Sequence, residues 1–324
     1  MNVDAAPEFV VACAGDGLVQ RWSLDSGVPR LRQQLDCAGA VAPLAWHAEG
    51  ATLYAALRGE PYALLRIERG ADGALCVLDR RPLPADLAWI ALDTTRTGLL
   101  GASYAMEQIN WIREREVQVL PTHGPSHACV ALGDGRLIVA TETLAGTLLC
   151  LPADVASAPL TARRGSRLRL HAAASPRHLA IAGDLVFVNN ESHAWLDVCR
   201  YDAGANVLQP LFSAELNWSG SDAPWYGDIR CSDDGAQLWL SERRRNRVHG
   251  FDVDLERGRL LQTATLEVPA VPRALAHCGK WLVSCGERAD SFIVHRRQPT
   301  GDWREVARAA CAARPMWVEF LSGV

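Results

Sequence analysis

The sequence predicts an all-β protein, a seven-bladed β-propeller in which the C-terminal strand pairs with the N-terminal blade. Three observations predict it. The chain echoes itself at a period of roughly 40 to 50 residues, the period of propeller blades. The repeats consist of short β-branched or aromatic runs separated by glycine-containing turns, and the two ends of the chain hold complementary parts of one blade.

The series begins at PLAWHAEGATLYAAL (Pro43 to Leu57) and continues through DLAWIALDTTRTGLLGASY (Asp86 to Tyr104) and PSHACVALGDGRLIVAT (Pro125 to Thr141). PRHLAIAGDLVFVNN (Pro176 to Asn190), GDIRCSDDGAQLWLSE (Gly227 to Glu242) and PRALAHCGKWLVSCG (Pro272 to Gly286) follow. PMWVEF (Pro315 to Phe320) is a seventh start with no second strand after it. At the other terminus, FVVACAGDGLVQRWSLD (Phe9 to Asp25) reads as the second and third strands of a blade that lacks its first. Pairing the two ends removes two exposed sheet edges, which otherwise invite aggregation.

The turns fit the strands they divide: Asp16-Gly17, Asp72-Gly73, Asp134-Gly135 and Asp234-Gly235 sit between strand-like runs. A helical fold would need amphipathic windows at a period of 3.6, and these are almost wholly missing from the sequence. The basic segment Arg163 to His171, broken by Gly165, is expected to be an exposed strand or an inter-blade loop. Residues 1–324, 49% apolar, are expected to form a single propeller domain with a large core.

Composition narrows the function. A formal charge of -4 and a pI near 6.1, with Lys280 the sole lysine, leave no basic face able to neutralise many phosphates, so a nucleic-acid partner is not expected. Asp4 and Glu8 stand where a secretory signal needs positive charge, and no apolar run approaches a membrane span. The ten cysteines are scattered without a CxxC pair, which favours buried reduced thiols and a cytoplasmic protein, monomeric or weakly homo-oligomeric.

Register selects a candidate site. In a propeller the first strand of each blade lines the central channel, so residues following each repeated proline should lie near its mouth. These are Ser126-His127, Arg177-His178 and Arg273. Superposing Leu53, Leu137, Val186 and Leu238 brings Arg58, Glu142, Glu191 and Arg243 to one shared position at the end of the second strand, which a hairpin returns to the same rim. His127, Arg177, His178, Glu191, Arg243 and Arg273 are therefore expected to converge, with Asn190 beside Glu191. Alternating charges around a water-filled depression suit an anionic, oxygen-rich small molecule.

The segments SYAMEQI, PSHACVAL, SPRHLAI, VNNES, APWYGDIRCSDDGAQLWLSER and ARPMWVEF resemble the blade motifs of the 6-phosphogluconolactonase group of seven-bladed propellers, which is similar to the fungal carboxymuconate lactonizing enzymes. The resemblance runs from about Phe9 to Phe320. In the lactonizing branch the site is a histidine, two arginines and a glutamate. By motif these fall on His127, Arg177, Glu191 and Arg243, which the resemblance implies are catalytic. Tyr104, Asp228 and Arg230 lie in the same motifs and join His178, Asn190 and Arg273 as substrate-binding candidates. The family's Ala-Asp-Ile-His motif appears here as Gly227-Asp228-Ile229-Arg230, and the first blade opens with VACAGDG in place of an aromatic-rich stretch.

What the resemblance implies is hydrolysis of a sugar or phosphosugar lactone, with lactone isomerisation or muconate-type cycloisomerisation as alternatives. Opening a lactone requires a nucleophile, a base for its proton and positive charge where the carbonyl oxygen becomes an oxyanion. Glu191 or His127 can be the base, and Arg177 and Arg243 can hold a carboxylate, a phosphate or the oxyanion. No GxSxG elbow, HExxH helix or P-loop occurs. In HGPSH, Gly124 and Pro125 prevent the helix that would aim His123 and His127 at one metal. Asn189, Asn190, Glu191 and Asp228 could imitate a calcium site, but neither a metal nor another cofactor is expected. The alternative of a different class is a non-catalytic scaffold with Trp22, Trp195, Trp218, Trp225 and Trp239 as packing or contact residues. The Gly-His and Trp-Asp signature of such scaffolds is missing.

Overall fold

The computed structural model describes residues 6–94, 98–114, 116–133, 135–153, 159–161, 165–257 and 259–321. Asp4, Asp134 and Arg163, named above, lie outside them. The described residues form 28 strands in seven four-stranded antiparallel sheets, the blades of a β-propeller. No helix among them is long and apolar enough to cross a membrane.

The first blade is split as the sequence predicts. Its strands Glu8–Cys13, Leu18–Asp25 and Val28–Asp36 are completed by Pro315–Phe320, which pairs antiparallel with Glu8–Cys13 through Phe9 opposite Phe320 and Val11 opposite Val318. The remaining six blades each run in chain order, beginning at Ala40–His47, Trp89–Leu92, Cys129–Leu132, Pro176–Ala182, Tyr226–Cys231 and Pro272–Cys278.

The second strand of several blades is wholly buried, its polar residues included. Leu137–Glu142, Leu185–Asn190, Gln237–Glu242 and Trp281–Gly286 are buried along their whole length because both faces of each sheet are covered. The fourth strands alternate exposed and half-buried residues, as in Val28–Asp36 and Arg259–Glu267. They carry charge at the edge: Arg30 and Arg32 both pair with Asp25, which discourages pairing with another chain.

The chain divides into two compact units, one of Met1–Pro84, Ser241–Gly250 and Thr263–Val324, the other of Ala85–Leu240 and Phe251–Gln262. In the first, Phe9, Trp22, Val318 and Phe320 pack with Val283, Phe292 and Val294. Phe292 meets Phe9 edge-on at 5.3 Å and Trp22 at 4.9 Å. In the second, Leu185, Phe187, Leu196 and Val198 pack with Tyr226, Ile229, Leu238 and Leu240. Each such buried side chain contributes about 1.5–3 kcal/mol.

All ten cysteines are free thiols. Burial pushes the Cys37 thiol up to about 12 and that of Cys150 to about 11, so these side chains behave as small apolar groups. The stretch Ser166–Arg169, within the basic segment, is the outer strand of the fourth blade and is largely exposed.

Candidate active site

In the fifth blade Pro176 pairs with Asn190, but the next paired residue is Leu179, opposite Val188. Arg177 and His178 thus occupy a bulge. A bulge re-aims side chains that would otherwise alternate across the sheet, and here it turns two consecutive polar groups into the interior. The Glu191 N–H donates to Ser175 O at 2.8 Å and its carbonyl accepts from Tyr226 N at 2.8 Å, which fixes the residue on both sides.

His178 is 2% exposed. Its backbone N–H donates to Asn189 Oδ1 at 2.8 Å. Its Nδ1 lies 2.8 Å from Asp228 Oδ1 and its Nε2 lies 2.9 Å from Arg177 Nη1. A guanidinium can only donate, so Nε2 accepts, and Nδ1 carries the proton that Asp228 accepts. The ring is neutral. Burial first, and then the Arg177 charge, push its pKa down to about 3 against the raising effect of Asp228. Asp228, fully buried, also accepts from Ile229 N at 3.0 Å and from Arg230 Nε at 3.1 Å.

The same Arg177 Nη1 donates to Gly227 O at 2.5 Å. Asn189 Nδ2 donates to that carbonyl at 2.9 Å. The other edge of the guanidinium faces Glu191, with Nε 3.5 Å from Oε1. Glu191 is the wetter partner, its side chain 23% exposed against 3% for Arg177. The result is a fixed buried cation beside a carboxylate that solvent reaches.

His127 lies nearby, 9% exposed, its ring 6.1 Å from that of His178 and 4.6 Å from that of Tyr104. Its backbone N–H donates to Thr141 Oγ1 at 3.0 Å. Trp89 packs edge-on against His178 at 4.8 Å, and the Arg230 guanidinium lies 5.6 Å from the Trp89 ring centre. His127, Tyr104, Arg177, His178, Glu191, Asp228 and Arg230 therefore form one polar cluster walled by Trp89, all within the second unit.

Other sequence-selected residues have different surroundings. Asn190 accepts from Ser175 N at 2.7 Å and donates to Trp195 O and Asp197 Oδ2, so its amide is committed within its own blade. The superposition of Glu142 on Glu191 is one residue out of register. Thr143 N donates to Pro125 O as Glu191 N donates to Ser175 O, so Thr143 is the equivalent of Glu191 and Glu142 that of Asn190. Glu142 is buried on Arg167, Thr147 Oγ1 and His123 N. Burial resists its ionisation, but Arg167 and these donors outweigh it and lower its pKa. Arg243, which follows Gln237–Glu242 and is 2% exposed, and Arg273 both belong to the first unit. Arg273 pairs with Glu287 at 3.2 Å.

Sequence reasoning passed over Trp89, and considered Asn189 only as a possible metal ligand. It had no means to see the Gly227 carbonyl, since a main-chain acceptor leaves no trace in residue type.

The seven four-stranded blades define a seven-bladed β-propeller. The family model "Lactonase, 7-bladed beta-propeller" matches residues 10–320, and the chain belongs to that family. It is 25% identical to a 6-phosphogluconolactonase of Xenorhabdus nematophila over 93% of this chain and 94% of that one. It is 26% identical to a 6-phosphogluconolactonase of Yersinia pestis over 95% and 96%. Among solved structures, the periplasmic gluconolactonase of Pseudomonas aeruginosa superposes with a TM-score of 0.84 at 18% identity, covering 99% of this chain and 100% of that one. A protein from Lactobacillus plantarum superposes with a TM-score of 0.85 at 16% identity, covering 98% and 100%.

Proposed function

We propose that the protein hydrolyses a sugar lactone to the open acid, and that Arg177 and Glu191 are its central pair. The observation that carries this reading is their geometry: a guanidinium locked by Gly227 O and His178 at 2.5 and 2.9 Å, with a partly exposed carboxylate 3.5 Å from its Nε. Family membership and relatives named for 6-phosphogluconolactone hydrolysis support the substrate class.

Glu191 takes a proton from water, whose oxygen bonds to the lactone carbonyl carbon. The carbonyl becomes an oxyanion beside Arg177, whose position is set before the substrate arrives, so little reorganisation is needed as charge develops. Collapse of the intermediate breaks the bond to the ring oxygen, which leaves with a proton supplied by His127. Tyr104, packed at a tilt against His127, gives the sugar a partly exposed aromatic face, and Arg230 a second cation. His178, Asp228 and Asn190 act as positioning residues in this scheme, since their polar atoms are bonded within the protein. Arg243 enters on its motif alone. The buried free thiols suit a reducing, cytoplasmic setting.

The test is base uptake in a pH-stat with gluconolactone and 6-phosphogluconolactone, with product analysis by carbon NMR. Acid formation above the buffer rate is expected. An isomeric lactone as product would replace hydrolysis by ring interconversion, and no acceleration with either substrate would overturn the enzymatic reading.

A further inference from the structure

The bulge that presents Arg177 recurs in the seventh blade. There Pro272 pairs with Gly286 and the next paired residue is Ala274 opposite Cys285, so Arg273 occupies the bulge. The Glu287 N–H donates to Val271 O at 2.9 Å, as that of Glu191 does to Ser175 O. Arg273 and Glu287 are 14 residues apart and their side chains meet at 3.2 Å, the same sequence separation as between Arg177 and Glu191. The seventh blade thus carries its own copy of the arginine–glutamate pair.

This second pair lines a cavity of about 330 Å3, bounded also by Arg58, Arg314, Ala14, Ala40, Gly59 and Met316. All of these residues lie within the first unit. Arg58 ends the strand Thr52–Arg58 and pairs with Ala40 on the neighbouring strand. Arg314 Nη2 approaches Glu287 Oε1 at 3.5 Å and Met316 Sδ at 3.9 Å. The Arg314 backbone has φ +53°, a left-handed conformation that side-chain-bearing residues seldom adopt, and its N–H is held by Asp290 Oδ1 at 2.8 Å. Gly59, at φ +81°, has no atom within 4 Å of where a side chain would begin, so that wall stays open. Ala14 and Ala40 keep the volume clear.

Three guanidiniums line this cavity with one carboxylate. Burial disfavours ionisation of Glu287, but Arg273 and then Arg314 outweigh it and hold its carboxyl below the usual carboxylate range. The arginine fork matches the oxygens of a phosphate in paired hydrogen bonds, and three such forks surround the one volume. A monocarboxylate offers only two oxygens to the three guanidiniums. We propose that this cavity is a phosphate-group site, in which Arg58, Arg273 and Arg314 bind the dianion and Glu287 orients the two arginines beside it.

Isothermal titration of the full chain with inorganic phosphate, 6-phosphogluconate and gluconate, without any lactone present, tests this independently of catalysis. Saturable binding is expected for phosphate or 6-phosphogluconate, with gluconate at least about tenfold weaker. Tighter binding of 6-phosphogluconate than of inorganic phosphate identifies a sugar phosphate as the source, and the reverse identifies free phosphate. Arg58→Gln and Arg314→Gln should each weaken binding by about tenfold or more. Should Arg314→Gln fail to fold, Arg58→Gln decides alone, with its fold checked by thermal unfolding. Absence of saturable heat with both phosphate compounds, or unchanged affinity in the folded variants, overturns the assignment. A protein inactive on every lactone but binding phosphate through Arg58 would sink the proposed activity and leave this site standing.

Discussion

His178 Nδ1 lies 2.8 Å from Asp228 Oδ1, both groups are buried, and the other nitrogen of the same ring accepts from Arg177 at 2.9 Å. Asp228 thereby sets the tautomer of an imidazole whose lone pair holds a guanidinium in place. Asp228→Asn replaces one of two acceptor oxygens with a donor, and Arg230 Nε and Ile229 N–H already require acceptors there. Arg177 should shift. If it is part of the catalytic pair, kcat should fall by about 10²-fold, the scale of an ångström-sized misplacement, with KM within threefold. A protein that melts earlier but keeps its kcat would reduce Asp228 to a structural residue.

Glu191→Gln keeps the shape of the proposed base and removes its basicity. Turnover on the preferred lactone should drop by roughly 10²–10⁴-fold. Activity within threefold of the parent would move the base role to His127.

Acid should destabilise the fold through two buried imidazoles. Burial lowers the pKa of His178 to about 3, and burial, chiefly, lowers that of His295 to about 4. A histidine depressed in the folded state binds its proton more readily when unfolded, so stability falls as pH drops below the unfolded value of about 6.5 and continues falling toward the folded values. The melting temperature should decline between pH 6.5 and 4. His295→Asn should flatten part of that decline, and an identical slope in the variant would contradict the assignment.

The last strand should be indispensable. Residues 315–320 pair along Glu8–Cys13, and Trp317, Val318 and Phe320 are buried. Removing Pro315 to Val324 exposes that edge and empties the core around Phe9 and Phe292, so the truncated chain should aggregate or lose cooperative unfolding. The intact chain should unfold in one transition if it is the single domain its repeats suggest. A soluble truncated monomer with an unchanged melting curve would show that the strand is dispensable.

The blade count and the split first blade were legible because each rests on local pattern: six hairpin-like echoes and two fragments, PMWVEF and FVVACAGDG, that complete one another. The pairing of Arg177 with Glu191 was legible for the same reason, since a hairpin must bring its ends together. Register along the second strands was not. Leu137 pairs with Leu132 but Leu185 with Ala182, so the two hairpins turn over different lengths, and apolar strands superpose almost equally well one residue out; Glu142 was thus aligned with Glu191 when it corresponds to Asn190. The inward turn of His178 depends on Asn189, Asp228 and Trp89 meeting it from the adjacent strand and from other blades, contacts that no spacing within one hairpin encodes.

Arg177→Lys separates two roles for the buried cation. A lysine keeps the charge but cannot donate to Gly227 O, meet the lone pair of His178 and face Glu191 from a single planar group. If Arg177 stabilises the oxyanion, the loss should appear in kcat and be alike for gluconolactone and 6-phosphogluconolactone, because the developing charge is common to both. If it instead clamps an anionic substituent, KM should rise for the phosphorylated lactone and stay put for the neutral one. The geometry favours the first outcome: the guanidinium is 3% exposed and its Nε edge is turned to the carboxylate proposed to activate water, so in the proposed scheme it lies beside the carbonyl under attack. Steady-state constants for the two lactones distinguish the cases, and unchanged constants for both would remove Arg177 from the reacting centre.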